Sequence, residues 1–112
     1  MQTVIETNAF LASASKAGIS DDERAQLVDY IAADPTVGAI MQGCGGARKV
    51  RVAATGGGKS GGFRVITFYG GGDIPVFLLT VYPKTMKESL TDKEKNILAT
   101  ITKEIKATYG RR

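Results

Sequence analysis

The sequence predicts an α+β fold in which a strongly twisted antiparallel sheet is covered by helices on one face, with the element order β-α-α-β-β-β-α. Three observations lead there. Two capping boxes each open a stretch with helical apolar spacing. Three apolar, β-rich runs follow one another in the middle of the chain, separated by glycine-rich segments. The chain has 112 residues, 43% of them hydrophobic, which supplies one small core, so 1–112 reads as a single domain.

Taken in order, 3–6 reads as a short strand and 8–16 as a short helix closed by Gly18 as a C-terminal cap. Ser20-Asp21-Asp22-Glu23 is a capping box: the serine hydroxyl can accept from the backbone of Glu23, whose side chain reaches back to Ser20. The helix it opens runs to about Ala33, with Leu27, Tyr30 and Ile31 on one face, and Pro35 ends it. The segment 48–54 alternates, with Lys49 and Arg51 on one side and Val50 and Val52 on the other, as in a half-buried strand with a basic outer face. Five glycines make 55–62 a loop, 63–69 is the next strand, and 70–73 a turn. The run 76–82 is apolar throughout and belongs in the middle of the sheet. Thr91-Asp92-Lys93-Glu94 is the second capping box, followed by a stripe of Ile97, Leu98, Ile101 and Ile105 that should cover the sheet. The tail 110–112 should fray.

Charge is distributed unevenly. Residues 1–35 hold two basic and six acidic groups, 36–72 five basic groups and no acid, and 73–112 eight basic and five acidic groups. Solubility alone does not require acids to be excluded from the middle of a chain; a polyanionic partner does. The chain has no histidine, which removes the usual metal ligand and the usual general base, so neither a zinc site nor a serine–histidine triad is expected, and no cofactor. Cys44 is the only cysteine and reads as a small structural residue; with no internal disulfide possible, a reducing compartment is expected. The first ten residues lack the basic start and apolar run of a signal peptide, and no segment is long and apolar enough to span a membrane, so a cytoplasmic location is expected.

The stretch 53–60, Ala-Ala-Thr-Gly-Gly-Gly-Lys-Ser, nearly spells a phosphate-binding P-loop. That pattern needs glycine where Ala53 stands and a helix immediately after, whose N-terminus holds the phosphates; here Gly61-Gly62 and a strand follow. Lys59 is better read as a loop cation suited to a phosphate backbone.

The chemistry-bearing candidates are Lys49, Arg51, Lys59, Arg64 and Tyr82, with Arg48 and Lys84 as further contacts to a nucleic acid. Lys49 and Arg51 share a strand face, Arg64 opens the next strand, and Tyr82 and Lys84 end the third. Such a surface suits RNA, which brings its own nucleophile, the 2′-hydroxyl. What the protein must add is a proton acceptor, cations for the pentavalent phosphate, and a donor to the departing 5′-oxygen. A lysine beside other cations can be the base, because neighbouring positive charge disfavours its protonated form. Arginine clamps phosphate in a bidentate way, and tyrosine can stack on a base or orient the sugar. Each residue also has a plainer reading: Lys49 and Arg51 as a solvated strand face, Lys59 and Lys84 as loop cations, Arg64 as a partner of a helix carboxylate, Tyr82 as a core aromatic.

Three segments resemble one family. Gly43-Cys44-Gly45-Gly46-Ala47-Arg48-Lys49-Val50-Arg51 is similar to G-T-G-G-x-R-K-x-R, Gly58-Lys59-Ser60-Gly61-Gly62-Phe63-Arg64-Val65-Ile66 to G-K-x-G-G-x-R-V-I, and Leu78-Leu79-Thr80-Val81-Tyr82-Pro83-Lys84 to L-L-T-x-Y-x-K, in the order and spacing of HigB-like members of the RelE/ParE toxin superfamily. The resemblance covers about 34–106. It implies a small RelE-like fold and the toxin of a type II toxin–antitoxin system: an endoribonuclease that cuts translated mRNA in the ribosomal A site without metal. It further implies a cognate antitoxin with a helix-turn-helix domain, operator DNA bound only through the toxin–antitoxin complex, and no membrane partner. Two alternatives stay open: a ParE-type toxin that poisons gyrase, and a relative that keeps the fold without activity.

Overall fold

The computed structural model describes residues 2–53, 62–84 and 90–109. Strand β1 (Val4–Glu6) leads into helices α1 (Asn8–Ala17) and α2 (Asp21–Ala33), followed by β2 (Ala39–Ile40), β3 (Arg48–Val52), β4 (Phe63–Phe68), β5 (Val76–Pro83) and α3 (Asp92–Tyr109). The order matches expectation except for β2, a two-residue strand too short to leave a pattern in the sequence.

Helix boundaries follow their caps. Gly18 takes the left-handed conformation (φ 79°) after α1. Ser20 and Glu23 close the capping box of α2, with both reciprocal bonds formed at 3.0 and 3.1 Å. Thr91 and Glu94 do the same for α3, at 2.9 and 3.2 Å. One cap was not foreseen: the Thr7 hydroxyl accepts from the Phe10 N–H at the start of α1 and donates to the Leu78 carbonyl of β5. Arg24 of α2 pairs with Glu6 of β1 at 2.8 Å and with Asp21.

The sheet order is β1-β5-β4-β3-β2. Pairings among β2 to β5 are antiparallel, as expected, but β1 lies parallel to β5, Val4 opposite Val76 and Glu6 opposite Leu78. The sheet is therefore mixed. A parallel pair needs a long connection, and the whole chain between β1 and β5 provides it.

The expectation of helices on one face is corrected. Helices α1 and α2 cover one face, where Phe10, Ala14, Leu27 and Ile31 pack on Val50, Val65, Val76, Leu78 and Val81. Helix α3 covers the other, where Leu98, with Ile101, Ile105 and Tyr109, meets Ile66, Phe68, Phe77 and Leu79. The cause lies in β4 and β5, which are apolar on both faces, so each face needs a cover. Of the predicted stripes, Tyr30 on α2 and Ile97 on α3 remain half exposed.

The 41–47 segment anchors α3. Gly45 (φ 68°) passes so close to Thr102 that a Cβ there would collide with the threonine hydroxyl. That hydroxyl donates to the carbonyls of Ala99 (2.9 Å) and Cys44 (3.5 Å). Cys44 is fully buried with its thiol directed at the Gln42 carbonyl, and burial pushes the thiol pKa up, as befits a structural residue.

Candidate functional site

Strand register assembles the site. Arg51 of β3 stands opposite Arg64 of β4, which stands opposite Tyr82 of β5, in one row across three strands. The row below it on the same face is Lys49, Ile66 and Thr80. Strands lie about 4.8 Å apart, so the Arg51–Tyr82 row spans roughly 10 Å. This is the α3 face: Val50 and Val52 face α1 and α2, and alternation sends Lys49 and Arg51 the other way.

A β-bulge sets the phase of Tyr82. The register slips between Ile66 and Thr67, so that Ile66 faces Thr80 while Thr67 faces Leu78, leaving Leu79 as the extra residue of β5. Leu78 and Val81 consequently lie on the same face although three residues apart, which a regular strand forbids. Tyr82 is carried to the α3 face beside Arg64.

The polar groups of the row differ sharply in exposure. Arg51 is exposed and Lys49 half-buried. Arg64 is only 5% exposed, and its Nε and Nη1 are buried without a hydrogen-bond partner. No ion pair neutralises it among the described residues. A guanidinium buried in this way is costly, and an anion that reached it would relieve the cost. Tyr82 is also 5% exposed. Burial above all holds its phenol above the ordinary value of 10.0, Arg64 working against this and Glu94 with it. The phenol is thus a proton donor at neutral pH.

Other sequence candidates lie apart. Arg48 falls on the opposite side of β3 from Lys49, and its Nη1 donates to the carbonyls of Thr36 and Gly38 at 3.0 and 3.3 Å, bracing the approach to β2. Lys84 is exposed just beyond β5, its N–H bonded to the Gly62 carbonyl. Lys59, with all of the P-loop look-alike but Ala53, falls within 54–61, outside the described residues.

Two residues near Tyr82 were missed. Glu94 is half-buried in the first turn of α3, and Lys16 lies in the last turn of α1; together with Ser13, Pro83 and Leu90 they line a cleft against Tyr82. The capping box announced Glu94, but only as a helix device. Nothing in the sequence placed Lys16 near β5.

Among the described residues there is no group of three metal-ligating side chains, and no helix long and apolar enough to cross a membrane.

A compact mixed sheet with helices on both faces and a basic row on one of them defines the class: a small α+β protein with a cationic sheet surface. The family model described as the RelE toxin of the RelE/RelB toxin–antitoxin system matches residues 2–111. The chain belongs to the RelE toxin family and is a toxin of a toxin–antitoxin system. Toxins of this family are in general ribosome-dependent endoribonucleases and act with an antitoxin partner.

Proposed function

We propose that this chain, acting as a single toxin domain in the cytoplasm, is a HigB-like, metal-independent endoribonuclease that cuts translated mRNA at the ribosomal A site. The observation that carries this reading is the Arg51–Arg64–Tyr82 row, with a buried guanidinium that has no partner within the described protein. Such a group fits a phosphodiester better than a role in stability.

In this reading the 2′-oxygen attacks phosphorus and passes its proton to the side-chain amine of Lys49, next to the row, which takes part in its neutral form and leaves the step as the ammonium. The new 2′-O–P bond forms as the P–O5′ bond breaks, giving a 2′,3′-cyclic phosphate and a 5′-hydroxyl end. Arg51 and Arg64 take up the charge that builds on the equatorial oxygens. Tyr82, kept protonated by its burial, donates to the departing 5′-oxygen. Lys59 and Lys84 hold the flanking backbone, and Arg48 could reach it only by giving up its carbonyl contacts. With a short list of acid–base groups, the ribosome supplies the alignment of the sugar and phosphate. The partner is an antitoxin with a helix-turn-helix domain, and operator DNA is bound only through the pair.

The test is controlled expression in a bacterial host, followed by primer extension on a translated reporter mRNA, with wild type beside Arg64→Ala. In-frame cuts that disappear in the variant support the reading. Growth arrest with intact mRNA points instead to a gyrase poison, and no arrest to an inactive relative; either result overturns it.

A further inference from the structure

One flank of α3 faces the loop that leads into β3. A Cβ on Gly45 would fall 3.4 Å from the Ala99 Cα, and the Thr102 hydroxyl donates to the Cys44 carbonyl at 3.5 Å. Lys95 stands one helical turn before Ala99 on that flank. Its charge is felt at the buried Cys44 thiol, which places it near the same loop. The helix runs down the sheet: Leu90 and Glu94 line the cleft beside Tyr82, whereas Lys106 lies over the Phe68 ring and Tyr109 meets Phe77. Lys95 is therefore displaced from Ala99 towards the Arg51–Arg64–Tyr82 row, by about 6 Å. On the sheet, the Ala47 N–H donates to the Cys44 carbonyl at 3.3 Å, and Lys49 lies two strand residues, about 6.6 Å, from Ala47 in the same direction. The two lysines thus stand at one level, one on β3 and one on α3. Both are half-buried, and neither has a carboxylate within ion-pair distance among the described residues, Asp92 one turn before Lys95 included.

We propose that Lys95 is a further RNA-contacting residue, holding the phosphate that adjoins the scissile one on its 5′ side. The inference rests on the reading of the sheet as an RNA site and extends that site onto α3. An ammonium with no counter-ion in the protein keeps its charge for a polyanion. A half-buried stem has already given up part of its rotamer freedom, so less is lost when the ammonium takes a phosphate. Spacing agrees. Two residues of β3, about 6.6 Å, separate the level of Lys49 and Lys95 from the row that takes the scissile phosphate, comparable to the separation of neighbouring phosphates along one strand. The nucleotide between those two phosphates carries the attacking 2′-hydroxyl. Held at both ends, it lies beside Lys49, the proton acceptor. Contacts to phosphate carry no sequence information, so Lys95 serves every codon alike.

The experiment measures binding of the full chain to a short single-stranded RNA with methylated 2′-hydroxyls, which cannot be cut, by fluorescence anisotropy over a range of salt concentrations and without ribosomes. Lys95→Ala should bind about tenfold more weakly than wild type at low salt. Its plot of log affinity against log salt should be shallower by about 0.7, the share of one phosphate contact on a single strand. Lys95→Arg should keep both affinity and slope. Lys93→Ala removes the same charge from the same turn of α3, but from the flank that Lys93 shares with Ile97 and Ile101, and should change affinity by less than about twofold. Melting temperatures of all the variants should match wild type. No binding by the wild type, equal binding by Lys95→Ala, or an equal loss in Lys93→Ala would sink the proposal. Binding that depends on Lys95 in a chain that cuts no reporter mRNA would keep the contact and remove the nuclease reading; reporter cutting with binding indifferent to Lys95 would do the reverse.

Discussion

Arg51 and Arg64 stand directly opposite each other on adjacent antiparallel strands, one guanidinium exposed and the other buried. Like charges in direct cross-strand register oppose pairing. Neither is neutralised by a carboxylate among the described residues. The pair makes the free protein less stable than it could be, and an anion shared between the two side chains reverses that.

It follows that Arg64→Met should stabilise the protein while abolishing toxicity. Methionine has similar length and needs no partner in the apolar surroundings. A gain of about 1–3 kcal/mol in urea unfolding is expected, the scale of an unsatisfied buried polar group. A comparable loss would mean that the guanidinium has a stabilising partner in the free protein.

Tyr82 gives a pH signature. Its folded pKa is raised above the unfolded value, so in the window above 10.0 the folded state binds the extra proton. That stabilisation is complete below the unfolded pKa and is lost as pH rises through the folded one. Wild-type stability should therefore fall more steeply above about pH 10 than that of Tyr82→Phe. Denaturant midpoints of both proteins between pH 8 and 11 decide the matter; parallel curves would show that the phenol is not held protonated.

Gly45→Ala should loosen α3. The new methyl collides with the Thr102 hydroxyl, and the left-handed backbone at Gly45 disfavours any side chain. A loss of about 1–3 kcal/mol is expected. Amide exchange should rise first in α3. An unaffected helix would show that 41–47 does not anchor it.

Arg48 and Arg51 should separate in their effects. Arg48→Ala removes two bonds to backbone carbonyls and should lower stability by about 1 kcal/mol while leaving reporter cleavage largely intact. Arg51→Ala should leave stability unchanged or improved and cleavage reduced about a hundredfold or more. Equal loss of cleavage in both would place RNA on both faces of β3.

Local signals in the sequence reported the local structure. Both capping boxes, the C-terminal glycine of α1 and the alternation through Lys49 and Arg51 predict elements that form as read. What escaped depends on contacts distant in sequence. The parallel seating of β1 joins residues some seventy positions apart, and the phase of Tyr82 depends on the bulge at Leu79, for which a continuous apolar run gives no cue. That same run in β5 did carry the information that both faces are buried, and with it the place of α3 on the far side. In the candidate site, Lys49, Arg51, Arg64 and Tyr82 converge as strand geometry suggested. Arg48 turns away because neighbours on a strand point oppositely. Lys16 and Glu94 join only through tertiary packing.

The two shortest strands, β1 with three residues and β2 with two, are the outer ones; β4 is enclosed between β3 and β5, and β1 covers Val76–Leu78 of β5. Sheets with long exposed borders invite further chains to add on and grow into aggregates. Here the outer strands are short, and where β5 runs past β1 the Val81 N–H donates to the Ser13 hydroxyl of α1 at 3.1 Å, so a donor that an added strand could use is taken. A toxin must persist when its antitoxin has gone, and short outer strands work against self-association of a chain that is alone.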